Sequence, residues 1–357
     1  MKKLDLRLLR LIKNTKGQYI AVLSIIITGI FVFTAVSNSA MNLRDTLNEY
    51  YHTTNFADIF VTAAAIPERL EKELEGTENI READVRLSID TKFITDNDDD
   101  RVNVRAVSVD RKENKINELY IKKGKRTLSE REIIVIDQFA LARGIDTGDE
   151  INLNINGRKH RFIVSAIASS PEYVYLMENE QVLLPDYKNF GVVYIEEDYL
   201  RKISGSGSFN EVVLTLNNYE QINKTKDYLE DELKKYGVMR VIDRDEQLSN
   251  SMMNEEITGL EKVSKSMPIV FLLFAGIMLA VMLSRIVKKD RTSIGVLKAV
   301  GFLDSEISSH YLKYAASVGV IGGLLGAIIG TLASGAMTNM YLEFFNIPML
   351  TVQVYYY

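Results

Sequence analysis

Cysteine is absent from the 357 residues, which excludes disulfides, thiolate metal sites and cysteine nucleophiles and leaves the redox compartment open. Tryptophan is absent too. Histidine occurs only at His52, His160 and His310, too scattered for a His-based metal site. Five prolines and 21 glycines do not make a chain disordered throughout. No HExxH, no GxSxG elbow and no acid–base carboxylate pair is present, so no catalytic, cofactor or metal residue is assigned and an enzyme is not expected. The slight acidity, net −5, argues against a nucleic-acid partner.

Long apolar runs are what the sequence does have. The mean hydropathy of −0.03 averages three such runs with a large acidic segment. The first, Tyr19–Val36, reads YIAVLSIIITGIFVFTAV without a charge, and 18 residues at about 1.5 Å each reach about 27 Å, close to the hydrocarbon core. It is longer than a signal-peptide core and lacks a convincing cleavage site before Asn42, so it reads as a retained anchor. The second run is Pro268–Ser284, widened to about 266–287. The third is Tyr311–Met337, with Lys313 placed to snorkel. Chain organisation follows: an amphipathic elbow at 1–18, spans at 19–38, 266–287 and 311–337, an extracytoplasmic domain with stalk at 39–265, a loop at 288–310 and a tail at 338–357.

Charge sets the orientation. Lys2, Lys3, Arg7, Arg10, Lys13 and Lys16 precede the first span against Asp5 alone, and Arg285, Lys288, Lys289, Arg291 and Lys298 follow the second. Residues 39–284 carry 31 Lys and Arg against 43 Asp and Glu. The positive-inside rule places the N-terminus and the 285–313 loop in the cytoplasm and 39–265 outside. The outer segment reads as α+β. Strands are expected at Phe56–Val61, Arg101–Val109, Ile133–Ile136, Gly191–Ile195, Glu211–Leu216 and Val238–Ile242, and helices at Pro67–Leu74, Gln138–Arg143 and Tyr219–Tyr236. Glu150–Ile155, Asn156-Gly157 and Arg158–Ala168 predict a hairpin on a type I′ turn. Asp243–Lys265 is expected to be a helical stalk running into the second span.

Three near-motifs carry no chemistry. Lys122–Thr127 contains a Gly-Lys but lacks the other elements of a phosphate loop and reads as a basic turn. Asp96, Asp98, Asp99 and Asp100 suggest a calcium loop, yet Arg101 stands where the turn glycine belongs and Val107 where the bidentate Glu belongs. Ser204–Ser208 reads as a flexible loop.

Arg291–Val300 is the sharpest signal: a short amphipathic helix stopped by Gly301, with Thr292 or Ser293 able to cap it and Ile294, Leu297 and Gly301 on one face. Taken alone it could equally lie on anionic lipid. The N-terminal LDLRLLRLIKNTKGQY has the same character, with Leu4, Leu8 and Leu11 opposite its basic residues. In the third span Gly319/Gly323, Gly322/Gly326 and Gly326/Gly330 have small-xxx-small spacing, which favours a tight helix–helix interface within or between chains.

KKDRTSIGVLKAVGFLDSEISSHYLKYAASVGVIGGLLGAIIG resembles the signature of FtsX/MacB-type permeases of ABC transporters, the type VII mechanotransmission class, and EIIVIDQFALARGIDTGDEINLNINGRKHRFIVSAIA resembles their periplasmic core domain. The resemblance implies a membrane protein of α-helical spans with a MacB-core-type α+β domain, and a fourth span beyond the present C-terminus. The chain is therefore expected to be an N-terminal portion of a longer permease. It also implies a separate cytoplasmic ABC ATPase that binds the ATP, membrane lipids around the spans, and a second permease copy or half. On this basis Arg291, Ile294, Gly295, Leu297, Lys298 and Gly301 are expected to serve ATPase coupling, with Arg291 and Lys298 as charged rim or lipid contacts. Export or extraction of an amphiphile (lipid, lipoprotein or peptide) and mechanotransmission both fit. The alternative is a membrane-anchored sensor, or a regulator of a cell-wall hydrolase without transport.

Overall fold

The computed structural model describes residues 3–95, 102–110, 115–126, 128–182 and 184–348. Among these the helices are α1 (Lys3–Asn14), α2 (Lys16–Thr53), α3 (Leu70–Glu75), α4 (Asp137–Arg143), α5 (Glu197–Ser204), α6 (Ile222–Leu233), α7 (Leu248–Lys289), α8 (Arg291–Ala299) and α9 (Asp304–Phe344). The strands are β1 (Ile59–Ile66), β2 (Ile80–Arg86), β3 (Ser88–Phe93), β4 (Val102–Val109), β5 (Tyr120–Gly124), β6 (Glu132–Ile136), β7 (Glu150–Ile155), β8 (Arg158–Ser169), β9 (Phe190–Glu196), β10 (Phe209–Leu216) and β11 (Val238–Asp243). Two compact units result: a helical one from residues up to Arg44 and from Ile257 to Tyr341, and an α+β one from Asp45 to Glu256 with the described part of 342–350.

In the helical unit α2, α7 and α9 are each long and apolar enough to cross a membrane. This is a multi-pass membrane protein with a large extracytoplasmic α+β domain. All three helices outlast their apolar runs. At 38 residues α2 is about 57 Å long. Between Gly29 and Pro67 there is no glycine or proline, so the helix persists after Val36 although its side chains turn polar. It stops where Asn55 takes φ 48° and the Phe56 N–H donates to Tyr51 O at 2.9 Å, a left-handed cap. The unit's core gathers Tyr19, Val22 and Ile26 of α2, Ala275, Met282 and Ile286 of α7, and Ile307, Tyr311, Tyr314 and Val318 of α9. Arg44 holds Glu261 with Nε at 3.2 Å and Nη2 at 2.7 Å.

The α+β unit contains two sheets. One is four-stranded and antiparallel, in the order β11-β1-β10-β2. The other closes on itself: β7 pairs with β3 on one side and with β8 on the other, so β8-β6-β9-β4-β3-β7 form a ring, with β5 added beside β8. Two pairings in the ring are parallel, β4 with β9 and β6 with β8. Phe139, Phe162, Val104, Val192 and Ile134 are all part of the unit's buried hydrophobic core. Gly191 admits the Phe139 ring, which would lie 2.4 Å from a Cβ at that position.

Several expected elements recur within a residue or two, among them the hairpin β7–β8. Asn156 and Gly157 take φ 53° and 74°, the type I′ geometry. Three readings are corrected. Lys122–Arg126 is not a turn, because Tyr120–Gly124 is strand β5, whose Gly124 at φ 90° lies against Ser165 O where no Cβ fits. Ser204–Ser208 is not merely a flexible loop: Gly205 at φ 72° is the left-handed cap of α5, donating to Arg201 O at 3.1 Å. Tyr219–Tyr236 is not α-helical throughout: α6 covers only Ile222–Leu233, between 3₁₀ turns at Tyr219–Gln221 and Lys234–Tyr236. The acidic run 96–100, Arg101 and Thr127 lie outside the described residues.

At the junction of the two sheets, Arg86 of β2 is buried between carboxylates. Its Nη1 and Nη2 donate to Glu172 at 2.7 and 2.5 Å, and its Nε donates to Glu211 at 3.0 Å. Burial opposes the charge on Arg86, but Glu172 and Glu211 outweigh it and hold the guanidinium firmly protonated. Two residues away, burial raises the Asp84 carboxyl to about 7 against the pull of Arg86. Glu197 is also raised to about 7, by burial and then by Asp84.

Two outcomes follow for the full chain in detergent. Glu172→Ala leaves Arg86 with Glu211 alone in a dry site and lowers stability by about 3 kcal/mol, read by chemical denaturation. Carboxyls raised in the folded state lose stability as pH rises from their unfolded values through about 7. Acidifying from pH 7 to pH 5 therefore raises the melting temperature of this domain, and Asp84→Asn flattens that slope.

Candidate functional site

Two places collect groups with a use. The first is α8 and its surroundings in the helical unit. The α8 helix starts after Asp290, and neither Thr292 nor Ser293 caps it, since the cap has no side-chain hydrogen bond. The Asp290 carboxylate is engaged elsewhere: Arg7 Nη2 donates to it at 3.3 Å and the Tyr311 hydroxyl at 3.2 Å. One acid thus ties the N-terminal helix, the α7–α8 joint and the root of α9. At the other end, Gly301 at φ 94° closes a Schellman motif, with Gly301 N–H to Lys298 O and Phe302 N–H to Leu297 O, both 3.0 Å. The next helix begins at once. Glu306 accepts from the Leu303 N–H at 3.1 Å, and Lys298 pairs with Asp304 at 2.5 Å.

The two faces of α8 are unlike. Ile294 and Leu297, expected to meet a partner, turn inward and pack with Phe302 on the bundle core, beside Leu8, Leu11 and Ile12 of α1. Val296, Val300 and Leu303 are exposed by 59%, 73% and 66%. Arg291 and Gly295 are also exposed, and nothing lies within 4 Å of a Cβ placed at Gly295 or Gly301. An exposed apolar patch on a short, doubly anchored helix is a surface for a partner or a lipid. The inward turn of Ile294 and Leu297 could not be read from periodicity, because apolar residues occupy both sides of the helix.

The glycine stripe of α9 is also two-faced. A Cβ at Gly322 would lie 2.8 Å from Ile26 Cγ2, at Gly326 2.8 Å from Ile27 O, and at Gly330 2.8 Å from Thr34 Cβ and 3.0 Å from Phe31 O. These three lie against α2. Gly319 and Gly323 have nothing within 4 Å. Further along α2, Asn38, Ser39 and Asn42 are fully buried, and Ser39 meets Thr338 of α9 at 3.3 Å.

Residues 265–357 match the family model described as FtsX-like permease C-terminal. Over that segment, about a quarter of the chain, the sequence is similar to FtsX-like permeases. Solved structures similar to this chain include the extracellular domain of the noncanonic ABC-type transporter YknZ from Gram-positive bacteria, at 13% identity and TM-score 0.35, covering 52% of this chain and 99% of that one. The periplasmic region of MacB from Actinobacillus actinomycetemcomitans is similar at 11% identity and TM-score 0.37, covering 59% and 97%. No curated protein matches this chain.

The second collecting place is a cleft of about 600 Å³ in the α+β unit, between the four-stranded sheet and the segment after β8. Phe60, Tyr175 and Met177 supply apolar wall. Arg86, Arg105 and Arg240 face Glu172, Glu178, Glu180 and Glu211. The charges are mutually engaged: Arg240 with Glu180 at 2.6 Å, and Arg105 Nε with Asp90 at 2.9 Å. The carboxylates sit among arginines, and among the described residues no group of three or more His, Cys, Asp or Glu could hold a metal ion.

Gly326→Leu and Gly323→Leu separate the two faces of α9. The first must push against a backbone carbonyl and destabilises the detergent-purified chain by about 1–3 kcal/mol. The second meets open space and leaves the melting temperature unchanged.

Proposed function

We propose that α8 is the coupling helix on which a separate cytoplasmic ABC ATPase docks, and that the chain transmits ATP-driven closure of that ATPase to its extracytoplasmic domain. The carrying observation is α8 itself: a nine-residue helix joined directly to two membrane helices, clamped by Asp290 and Gly301, with an apolar face left outward. Such a helix cannot be pushed without moving α7 and α9. In this reading Ile294 and Leu297 are positioning residues that fix α8 to the bundle. Val296, Val300 and Leu303 meet the ATPase, Gly295 and Gly301 let its surface approach closely, and Arg291 and Lys298 form the charged rim.

With spans taken at 19–38, 266–287 and 311–337, the positive-inside rule supports α8 inside and 39–265 outside. The movement then travels along α2 and α7, both helical well past their apolar runs. Shifting a two-state element from 1:99 to 99:1 takes about 5.5 kcal/mol of differential binding, which a docked, nucleotide-closed ATPase is suited to supply. The moved domain serves export or extraction of an amphiphile, or mechanical activation of an external partner. A cleft with apolar wall and paired charges suits an amphiphile with a polar head.

Val300→Asp and Leu297→Asp distinguish docking from positioning. Val300→Asp keeps the melting temperature within about 1 °C, as expected of an exposed site, and abolishes co-purification of the ATPase with the full-length permease. Leu297→Asp places a charge in the bundle core and lowers the melting temperature as well. ATPase recovered undiminished with Val300→Asp shows that this face is not the docking surface.

A further inference from the structure

Beside the coupling apparatus, α2 and α7 leave a second concavity of about 410 Å³ that no docking role uses. Its walls come from the start of α2, at Gly17, Gln18, Ala21 and Val22, and from the last third of α7, between Ile277 and Arg285. The groove exists because the α2 side is small. Gly17 has no side chain and nothing within 4 Å of where a Cβ would stand, and Ala21 adds one methyl. Opposite, Met278 and Val281 are exposed and Met282 forms a buried floor. From Ile277 to Arg285 the groove runs about 12 Å along α7.

Its two ends differ in chemistry. One is wholly apolar. The other is closed by Arg285, which is exposed and has no ion pair or hydrogen bond among the described residues. Lys16 stands next to Gly17 at that end of α2, and Lys288 and Lys289 follow within about one turn of Arg285. All three are exposed, and none is paired among the described residues. The nearby acid, Asp290, is taken by Arg7 and Tyr311. By the charge-set orientation this end lies at the cytoplasmic surface of the membrane.

We propose that this groove is a binding site for an anionic phospholipid of the cytoplasmic leaflet, one acyl chain lying along Ala21, Met278 and Val281 and the phosphate meeting Arg285. An apolar trough inside a bilayer is filled by hydrocarbon or by protein, and the unpaired cations at its mouth select a negatively charged headgroup. Methionine suits a flexible chain, since its thioether repacks around whatever conformer is present. Arg285 offers a planar fork to phosphate oxygens, with Gln18 as a neutral donor beside it. The site is independent of the coupling reading: α8 can dock an ATPase whether or not the groove holds lipid.

Native mass spectrometry of the full chain tests it, with phosphatidylglycerol and phosphatidylcholine of identical acyl chains as the two probes. The wild type is expected to retain one phosphatidylglycerol about five-fold more tightly than phosphatidylcholine, the worth of one basic contact at the membrane surface. Arg285→Gln removes most of the preference and Arg285→Lys keeps most of it. Gly17→Leu fills the groove and lowers retention of both lipids. Equal retention of both probes by the wild type, or a preference unchanged in Arg285→Gln, overturns the proposal. So does efficient disulfide cross-linking in membranes of a chain bearing Val281→Cys to a second copy, which would put protein in the groove.

Discussion

At Gly326 the α9 backbone comes so near α2 that a single added methyl would stand 2.8 Å from the carbonyl oxygen of Ile27. In lipid there is little hydrophobic gain from bringing helices together, so van der Waals contact at this range must hold the pair. Gly322 and Gly330, one turn either way, repeat the contact, and Gly29 does the same between α2 and α7. The coupling helix depends on this packing. Ile294, Leu297 and Phe302 rest on a core whose other members come from those three helices. Loosening α2 from α9 would remove the surface on which α8 is seated.

The extracytoplasmic unit solves a different problem in a different currency. There Arg86, Glu172 and Glu211 form a desolvated charge cluster where two sheets meet, and the neighbouring Asp84 and Glu197 titrate near neutrality because they share that dry ground. A buried ion cluster is poor stabilisation compared with packed hydrocarbon, but its geometry is exacting. It fixes how β2 and β10 meet the segment after β8, and so fixes the wall of the cleft.

Much of this could be read in the sequence. Apolar length pointed to the three long apolar helices, Asn156-Gly157 to the hairpin, Gly144 and Gly301 to the helix stops, and the 285–330 segment lies within the stretch that matches the family model. The residues that escaped did so for physical reasons. Residues 37–53 are polar, and hydropathy ends a span where hydrogen bonding does not end a helix. β2 and β3 carry Arg81, Glu82, Asp84, Arg86, Asp90 and Lys92, so alternation was masked by charges that the fold pairs or half-buries. β5 was hidden behind its lysines, although Lys122 pairs with Asp137 and is held by Asn346 at 2.6 Å. The glycine stripe was visible, but which of its two sides meets α2 is a matter of helix rotation that spacing alone leaves undetermined.

The four-stranded sheet also dictates an order of assembly. Its strand β1, near residue 60, pairs on one side with β10 and on the other with β11, so that Ile59 waits for Leu214 and Asp243. Inside the ring, Asn103 likewise waits for Phe190. Pairings this distant carry a large loop-closure cost and fold slowly. A chain synthesised from its N-terminal end and moved across the membrane as it is made therefore exposes β1 and β2 long before their partners arrive. The domain cannot finish until residue 243 has emerged, only five residues ahead of the helix that anchors it again.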